Sequence, residues 1–526
     1  MSYAASRSYA DALALLEALQ SNRMVVSSIS SSKRDMNLDA IPEMLEWTRK
    51  AGYEAEDFSK SGLKCIHVAG TKGKGSVCAI VENVLLQYRR KDNEAGLGKI
   101  GLYTSPHLLD VRERIRIDGS PISESLFTQY FFELWDRFSE AAASAGLKDH
   151  QSPTTKPGYF RYLTIMAFHT FIQEGVESAI IECGIGGEYD STNILPAEAV
   201  TVSAITRLGI DHVGMLGDTI EKIAWHKAGI MKKGVPAFTV KQEPSALNVL
   251  HKRAAEKSVE LRVVERFDRI ESGDIQLGLE GDFQKDNASL AITVASSHLG
   301  NLGFTDKLNS TLKDDAIPEK FVTGLQTVSW PGRCQVIIDG NTEWFIDGAH
   351  TKDSIIVAAE WFRSKALAAY HSARPPTGTM LIFNQQDRDA QALLTTLLLC
   401  LSKRQLQDES KLTQSLRKGE FSNAIGRAQG RAFTYAAFCT NTPFKSDLDI
   451  ETPDISLQQQ LAKVYMRLEG NALNMAYATI EEAVDLAYRV SEGEERILVL
   501  VTGSLYLAGG LLKVLEKKAG RSMDAA

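Results

Sequence analysis

Seven residues, Gly70-Thr71-Lys72-Gly73-Lys74-Gly75-Ser76, gather three glycines, two lysines and two hydroxyls between an apolar run, Cys65 to Ala69, and a helical run, Val77 to Gln87. In such a strand-to-helix turn, glycines let backbone N–H groups face phosphate oxygens and the helix N-terminus adds its positive end. Lys74 is placed to neutralise the β and γ charges of a phosphate chain. Gly75 stands between Lys74 and Ser76, a departure from GxxxxGK[ST]. The competing reading is a glycine-rich turn without a ligand.

Further candidates lie where other short apolar runs end. Thr104-Ser105-Pro106-His107-Leu108 follows Ile100 to Tyr103, at the carboxyl edge where open parallel sheets place ligands. Ser105 offers a hydroxyl to a metal, although Ser-Pro after a strand also reads as a plain turn. Glu182 closes the run Ser178 to Ile181 ahead of Gly184, Gly186 and Gly187. Its carboxylate suits Mg2+, a hard cation that keeps waters and phosphate oxygens, and a solvated strand-end glutamate fits equally well. Asp211-His212 arrives at the same edge, but imidazole is an unusual magnesium ligand and a lone histidine is more often a structural hydrogen-bonder. Asp218-Thr219-Ile220-Glu221 predicts a capping box that opens a helix carrying Lys227; by itself that lysine reads as a surface charge. Arg333 in Trp330-Pro331-Gly332-Arg333 precedes one apolar run, and Asp347-Gly348-Ala349-His350 follows another. Arginine grips phosphate in two-pronged fashion and aspartate takes a ribose hydroxyl or orients a charged partner. A surface arginine and a turn aspartate are the plainer readings.

Positioning these groups takes two alternating series of strands and helices. Cys65 to Ala69, Ile100 to Tyr103, Ala179 to Glu182, Val200 to Thr206 and Val235 to Val240 predict strands, each followed by a helical stretch, the alternation of a parallel sheet covered by helices. Cys334 to Ile338, Trp344 to Ile346, Met380 to Phe383, Phe433 to Cys439 and Ile497 to Val501 predict a second α/β domain. The polar stretch Asn301 to Lys320 sets the expected division: residues 1–315, a linker over 316–329, and residues 330–526. Gln405 to Arg431 interrupts the second domain as a surface insertion would. Ser8 to Leu19 and Leu38 to Gly52 predict amphipathic helices packed on the first sheet.

At 526 residues the chain exceeds a single core, and 44% hydrophobic with 24% charged residues permits large buried cores without a staple. A net charge of -7 argues against nucleic acid or an anionic membrane as the main partner. The six cysteines lack CxxC spacing, which speaks against a zinc site or a disulfide framework and for reduced thiols in the cytosol. No apolar run reaches about 18 residues, and Asp11 and Glu17 beside Arg7 and Arg23 are unlike an acid-poor transit peptide. A cytoplasmic protein is expected, with a mitochondrial pool as the variant.

Taken in order, the motifs resemble the folylpolyglutamate synthase and dihydrofolate synthase family, relatives of the Mur peptidoglycan ligases, from about Leu38 to Leu512. They are GTKGKGS at Gly70, TSPHL at Thr104, GYFRYLT at Gly158, IECGIGGEYDSTN at Ile181, Asp211-His212, WHKAGI at Trp225, WPGR at Trp330 and DGAH at Asp347. The YFRYLT and WHKAGI forms are similar to the eukaryotic branch. The resemblance implies an α/β fold, with a P-loop parallel-sheet N-terminal ATPase domain and a smaller Rossmann-like C-terminal domain. It implies an ATP-dependent ligase that phosphorylates the terminal γ-carboxylate of a folate and joins L-glutamate to the acyl phosphate. Dihydrofolate synthase, acting on dihydropteroate, is the nearest alternative; a P-loop nucleotide switch is a remoter one.

By the same resemblance Gly70, Thr71, Gly73, Lys74, Gly75 and Ser76 hold ATP, while Ser105, Glu182 and His212 hold a pair of Mg2+ ions, with a monovalent cation such as K+ as a further ligand. Lys227 is carbamylated and acts as a carboxylate near the second metal. Asn287, in Gln284-Lys285-Asp286-Asn287, and Arg333 and Asp347 contact the nucleotide, with His350 on its phosphate side. Tyr189 and the loop after Thr104 face the folate. Thr351 stands where the family frequently has asparagine. The implied partners are small molecules, folate, L-glutamate and ATP, with no nucleic acid and no membrane insertion; the expected state is a monomer whose domains close for turnover.

Overall fold

Apolar runs of four to seven residues form the buried centre of two sheets, because the crossovers that parallel strands require bury both faces of such a strand. The computed structural model describes residues 7–29, 39–90, 96–304, 317–386, 388–401, 432–445, 453–470, 473–493 and 495–520. The insertion expected over Gln405 to Arg431 lies outside the described residues. In the first sheet, β1 (Lys64–Ala69), β2 (Lys99–Tyr103), β3 (Ile115–Ile117), β4 (Ser120–Pro121), β5 (Val176–Glu182), β6 (Val200–Ile205), β7 (Ala237–Val240) and β8 (Leu261–Val264) lie in the order β4-β3-β2-β5-β1-β6-β7-β8. All pairings are parallel except β2 with β3 and β3 with β4.

The second sheet holds β9 (Gln335–Asp339), β10 (Thr342–Ile346), β11 (Gly378–Phe383), β12 (Tyr435–Cys439), β13 (Leu473–Tyr477) and β14 (Ile497–Thr502) in the order β13-β12-β11-β14-β10-β9. Only β9 runs antiparallel to its neighbour, β10. Each sheet belongs to its own compact unit: Met1–Gly278 with Phe283–Ser329, and Leu279–Asp282 with Trp330–Ala526.

Two expectations change in the first unit. The stretch 316–329, expected as a linker, contains the helix Glu319–Thr327, which buries Phe321, Val322 and Leu325. This helix packs on the helix Lys74–Leu86, where Asn83 Nδ2 donates to Gly324 O at 2.7 Å. Gly324 permits the approach, since a Cβ there would stand 2.8 Å from Val84 Cα. The N-terminal helices, Tyr9–Ile29 and Ala40–Lys50, pack on the helices Glu124–Ser144 and Tyr159–Gln173. Aromatic surface draws them there: Tyr9 meets Phe127 at 5.4 Å and Trp47 meets Phe138 at 5.7 Å, edge to face. All six cysteines are free, and among the described residues no helix is long and apolar enough to cross a membrane.

Candidate active site

β1 ends at Ala69, and the chain turns through Gly70 (φ 148°) and Gly73 (φ 88°) into the helix Lys74–Leu86. Crowding demands both glycines: a Cβ on Gly70 would fall 1.8 Å from Thr206 Oγ1, and one on Gly73 would fall 2.3 Å from Asn287 Oδ1. Lys74 is the first helical residue, with Gly75 and Ser76 beside it in the first turn, where N–H groups have no partner within the helix. The helix Phe283–Asn301 lies alongside. Its Asn287 Nδ2 donates to Gln284 Oε1 at 2.8 Å, and Gln284 Nε2 donates to Ser76 Oγ at 3.2 Å, so a buried relay ties Asn287 to the loop. Gln284 carried no expected role; its i,i+3 spacing from Asn287 on one helix face was the available signal.

The register that sets Val68 opposite Glu182 and Tyr103 opposite Ile181 brings the carboxyl ends of β1, β5 and β2 to one edge. Glu182 is 3% exposed there. Its Oε2 accepts from the Thr104 hydroxyl and from Ser105 N at 3.1 Å, while Oε1 faces Lys74 Nζ at 3.9 Å. Thr104, which the sequence placed in the motif without a role, is thus the residue that orients the carboxylate.

Lys227 closes the helix Ile220–Lys227 and, against its reading as a surface charge, is 3% exposed. Its Nζ donates to Gly70 O at 2.7 Å. Burial, and next the Lys74 cation, pull its pKa down to about 7. The expected capping box gives way to a one-way cap one residue on: Thr219 is the N-cap, its hydroxyl accepting from Lys222 N at 3.4 Å, and Asp218 instead pairs with Lys222 Nζ at 2.9 Å.

Asp211 is buried and pairs with Lys72 Nζ at 3.2 Å. His212 follows on an exposed left-handed turn, φ 50°, capping the short helix Val213–Leu216. The structure therefore gathers Lys74, Ser105, Glu182, Lys227 and Asn287 around the phosphate loop and leaves His212 at the surface. Among the described residues, no three His, Cys, Asp or Glu side chains group as a metal cage. Tyr189 lies 6.1 Å from Trp225 and 5.6 Å from His226, ring centre to ring centre. A cleft of about 510 Å³ is lined by Met215, Trp225, His226 and Lys252 among others, and by none of the phosphate-loop residues.

In the second unit, Asp347 is buried at the end of β10, with Oδ2 accepting from Cys334 N and Oδ1 from Ala349 N, both at 2.9 Å. Burial pushes its pKa up against the opposing pull of Arg333. Arg333 lies against Gly348, where a Cβ would stand 3.0 Å from Nη1. His350 Nδ1 donates to Gly348 O at 3.0 Å. Arg333, Asp347 and His350 thus share one loop cluster. Thr351 caps the helix Lys352–Tyr370 through a reciprocal box with Ser354, which gives that position a structural role.

A phosphate loop at the carboxyl edge of a parallel sheet, with a buried carboxylate and a buried amine beside it, defines a P-loop α/β protein built for phosphate chemistry. The chain belongs to the folylpolyglutamate synthase family: folylpolyglutamate synthase of Saccharomyces cerevisiae (strain FostersO) is 42% identical over 515 residues, 97% of this chain and 87% of the relative. No protein-family model matches. Among solved structures, Mycobacterium tuberculosis folylpolyglutamate synthase complexed with ADP and AMPPCP is 23% identical with a TM-score of 0.63, covering 92% of this chain and 98% of its own. E. coli FolC in complex with DHPP and ADP is 22% identical with a TM-score of 0.64, covering 98% and 99%. These two establish the shared fold.

Proposed function

We propose that this chain joins L-glutamate to the γ-carboxylate of a (tetrahydro)folate or its polyglutamates, consuming ATP through an acyl phosphate. The observation that carries the reading is Lys74 facing Glu182 across 3.9 Å at the start of the phosphate-loop helix, in a chain 42% identical to a yeast folylpolyglutamate synthase.

The chemical problem is that a carboxylate is a poor electrophile and repels incoming phosphate oxygens. Lys74 and the N–H groups of Gly73 to Ser76 offset that charge, so the γ-phosphoryl can pass to the folate carboxylate. The amine of glutamate then attacks the acyl carbon, the amide bond forms, and phosphate leaves with the former acyl oxygen. Positioning contributes as much as charge, since the reacting atoms must be held about 3 to 3.5 Å apart.

The donor set fits Mg2+. Thr104 and Ser105 occupy Glu182 Oε2, whereas Oε1 has Lys74 beyond hydrogen-bond distance, which leaves one hard oxygen for a cation that takes its other ligands from phosphates and water. Bound there, Mg2+ supplies charge neutralisation on the phosphate chain. Ser105 and His212 are the further ligands in this reading, with a second Mg2+ and a monovalent cation such as K+ completing it. Lys227 would be carbamylated: its amine, buried and of lowered pKa, is the kind that adds to carbon dioxide near neutrality. Gly70 and Thr71 shape the ATP loop, Asn287 approaches the nucleotide beside Gly73, and Arg333, Asp347 and His350 are the second unit's nucleotide-facing groups. The free cysteines fit a reducing compartment, hence a cytoplasmic protein, with a mitochondrial pool as the variant; a monomer is the state proposed.

ADP release decides the matter. Tetrahydrofolate is expected to give glutamate-dependent release with products lengthened by successive glutamates, and dihydropteroate little. Turnover of dihydropteroate with none on tetrahydrofolate would make the enzyme a dihydrofolate synthase, and release indifferent to glutamate on both would remove the ligase reading.

A further inference from the structure

The phosphate loop carries two lysines, and their surroundings differ. Lys74 faces Glu182, whereas Lys72 Nζ reaches Asp211 Oδ2 at 3.2 Å. The backbone divides the loop in the same way. Thr71 N and Lys72 N both donate to Arg207 O at 3.0 Å, and Thr71 Oγ1 donates to Gly209 O at 3.1 Å. Gly70 to Lys72 therefore forms a clasp onto the turn that follows β6, and Gly73 to Ser76 is the part left to phosphate.

That turn ends in His212. Its φ of 50° and ψ of 42° are left-handed, a conformation that is strained for a side-chain-bearing residue and persists where neighbours hold it. Asp211 is the holder: Oδ1 accepts from His212 N at 2.9 Å while Oδ2 takes the Lys72 ammonium. Asp211 is 8% exposed, and a buried carboxylate that loses an ammonium partner is destabilised. Losing the lysine would then release the turn.

The geometry points to Lys72 as a positioning residue that fixes, through Asp211, the turn presenting His212, and not as a phosphate ligand. The inference rests on the ligase reading, in which His212 serves the metal, and it assigns to the first lysine of the loop a task distinct from that of Lys74.

The test compares Lys72→Met, Lys72→Arg, Asp211→Asn and the Lys72→Met/Asp211→Asn double variant with the wild type, with thermal melting as a check on the fold. Lys72→Met is expected to leave the affinity for ADP measured without metal unchanged. It should lower kcat and weaken the magnesium dependence of turnover by about 10- to 100-fold, the range for loss of a group that orients a metal ligand. Lys72→Arg should recover most of the loss, and the double variant should be no worse than Asp211→Asn, as partners in one contact behave. Metal-free ADP binding that weakens in Lys72→Met as it does in Lys74→Ala would make Lys72 a phosphate ligand and overturn the inference, as would wild-type kcat in Lys72→Met or additive losses in the double variant. Failure of the ligase reading is separate: it would appear as wild-type ADP release indifferent to glutamate, with the metal-free ADP measurement still reporting on Lys72.

Discussion

Lys74 and Lys227 are both lysines beside the same loop, and their surroundings send them in opposite chemical directions. Lys74 stands near a carboxylate at the mouth of the loop, so its charge is available to a phosphate chain. Lys74→Ala is expected to abolish ligation with an unchanged melting temperature, measured by glutamate-dependent ADP release and circular dichroism, because the residue opens its helix and is not among the buried residues of that helix. Glu182→Gln should lower activity by orders of magnitude at saturating ATP and alter the magnesium dependence; the same magnesium curve as wild type would remove Glu182 from the metal site. Lys227 is buried with the Gly70 carbonyl and beside the Lys74 cation, and its pKa is lowered to about 7. The protonated form predominates below that value and the neutral, carbon-dioxide-reactive form above it. Enzyme stripped of carbon dioxide is therefore expected to regain activity on adding bicarbonate at a rate that climbs as pH passes through about 7, with a mass increase of one carbon dioxide on the peptide holding Lys227. Recovery that begins only near pH 10, where an ordinary lysine loses its proton, would exclude the mechanism.

At the scale of elements, the legible strands were those with unbroken apolar runs. β1, β6, β11 and β14 are buried along nearly their whole length, and each was read from sequence within two residues of its ends. β8 and β13 were missed because each lies at a sheet edge and has no fully buried residue, where neither an apolar run nor a clean period is required. β3 and β4 are too short for any periodicity to register. Caps were legible in type but not in position, as the shift from Asp218 to Thr219 shows. Thr351 gives the element-scale prediction. As the cap of the helix Lys352–Tyr370, its replacement by alanine should cost about 1 kcal/mol in denaturant unfolding. Restoration by Thr351→Ser or Thr351→Asn would identify capping as the cause, while a loss that neither restores would point to another contact.

At the scale of the whole chain, the division into units is not a single cut. The segment Leu279–Asp282 belongs to the second unit although Phe283–Ser329 returns to the first. Glu280 is its anchor, accepting from Trp361 Nε1 at 2.9 Å and pairing with Lys365 Nζ at 2.6 Å. Since Glu280 and Lys365 are partly exposed, Glu280→Gln should lower stability by only about 0.5 kcal/mol, and less at high salt, in denaturant melts. No run or spacing in the sequence marks this excursion, because four residues carry no pattern. What the sequence by itself determined was the chemistry that depends on residue type and local order: the glycine turn before a helix, the strand ends, the family motifs and the two α/β series. What only the tertiary structure decided was the environment of each group. Thr104 orients Glu182, Gln284 links Asn287 to Ser76, Lys227 is buried, and Lys72 is given to Asp211 while Lys74 is given to Glu182. Those assignments join residues up to 208 positions apart, and a charge or hydroxyl takes its role from the neighbours and the solvent around it, which chain order does not specify.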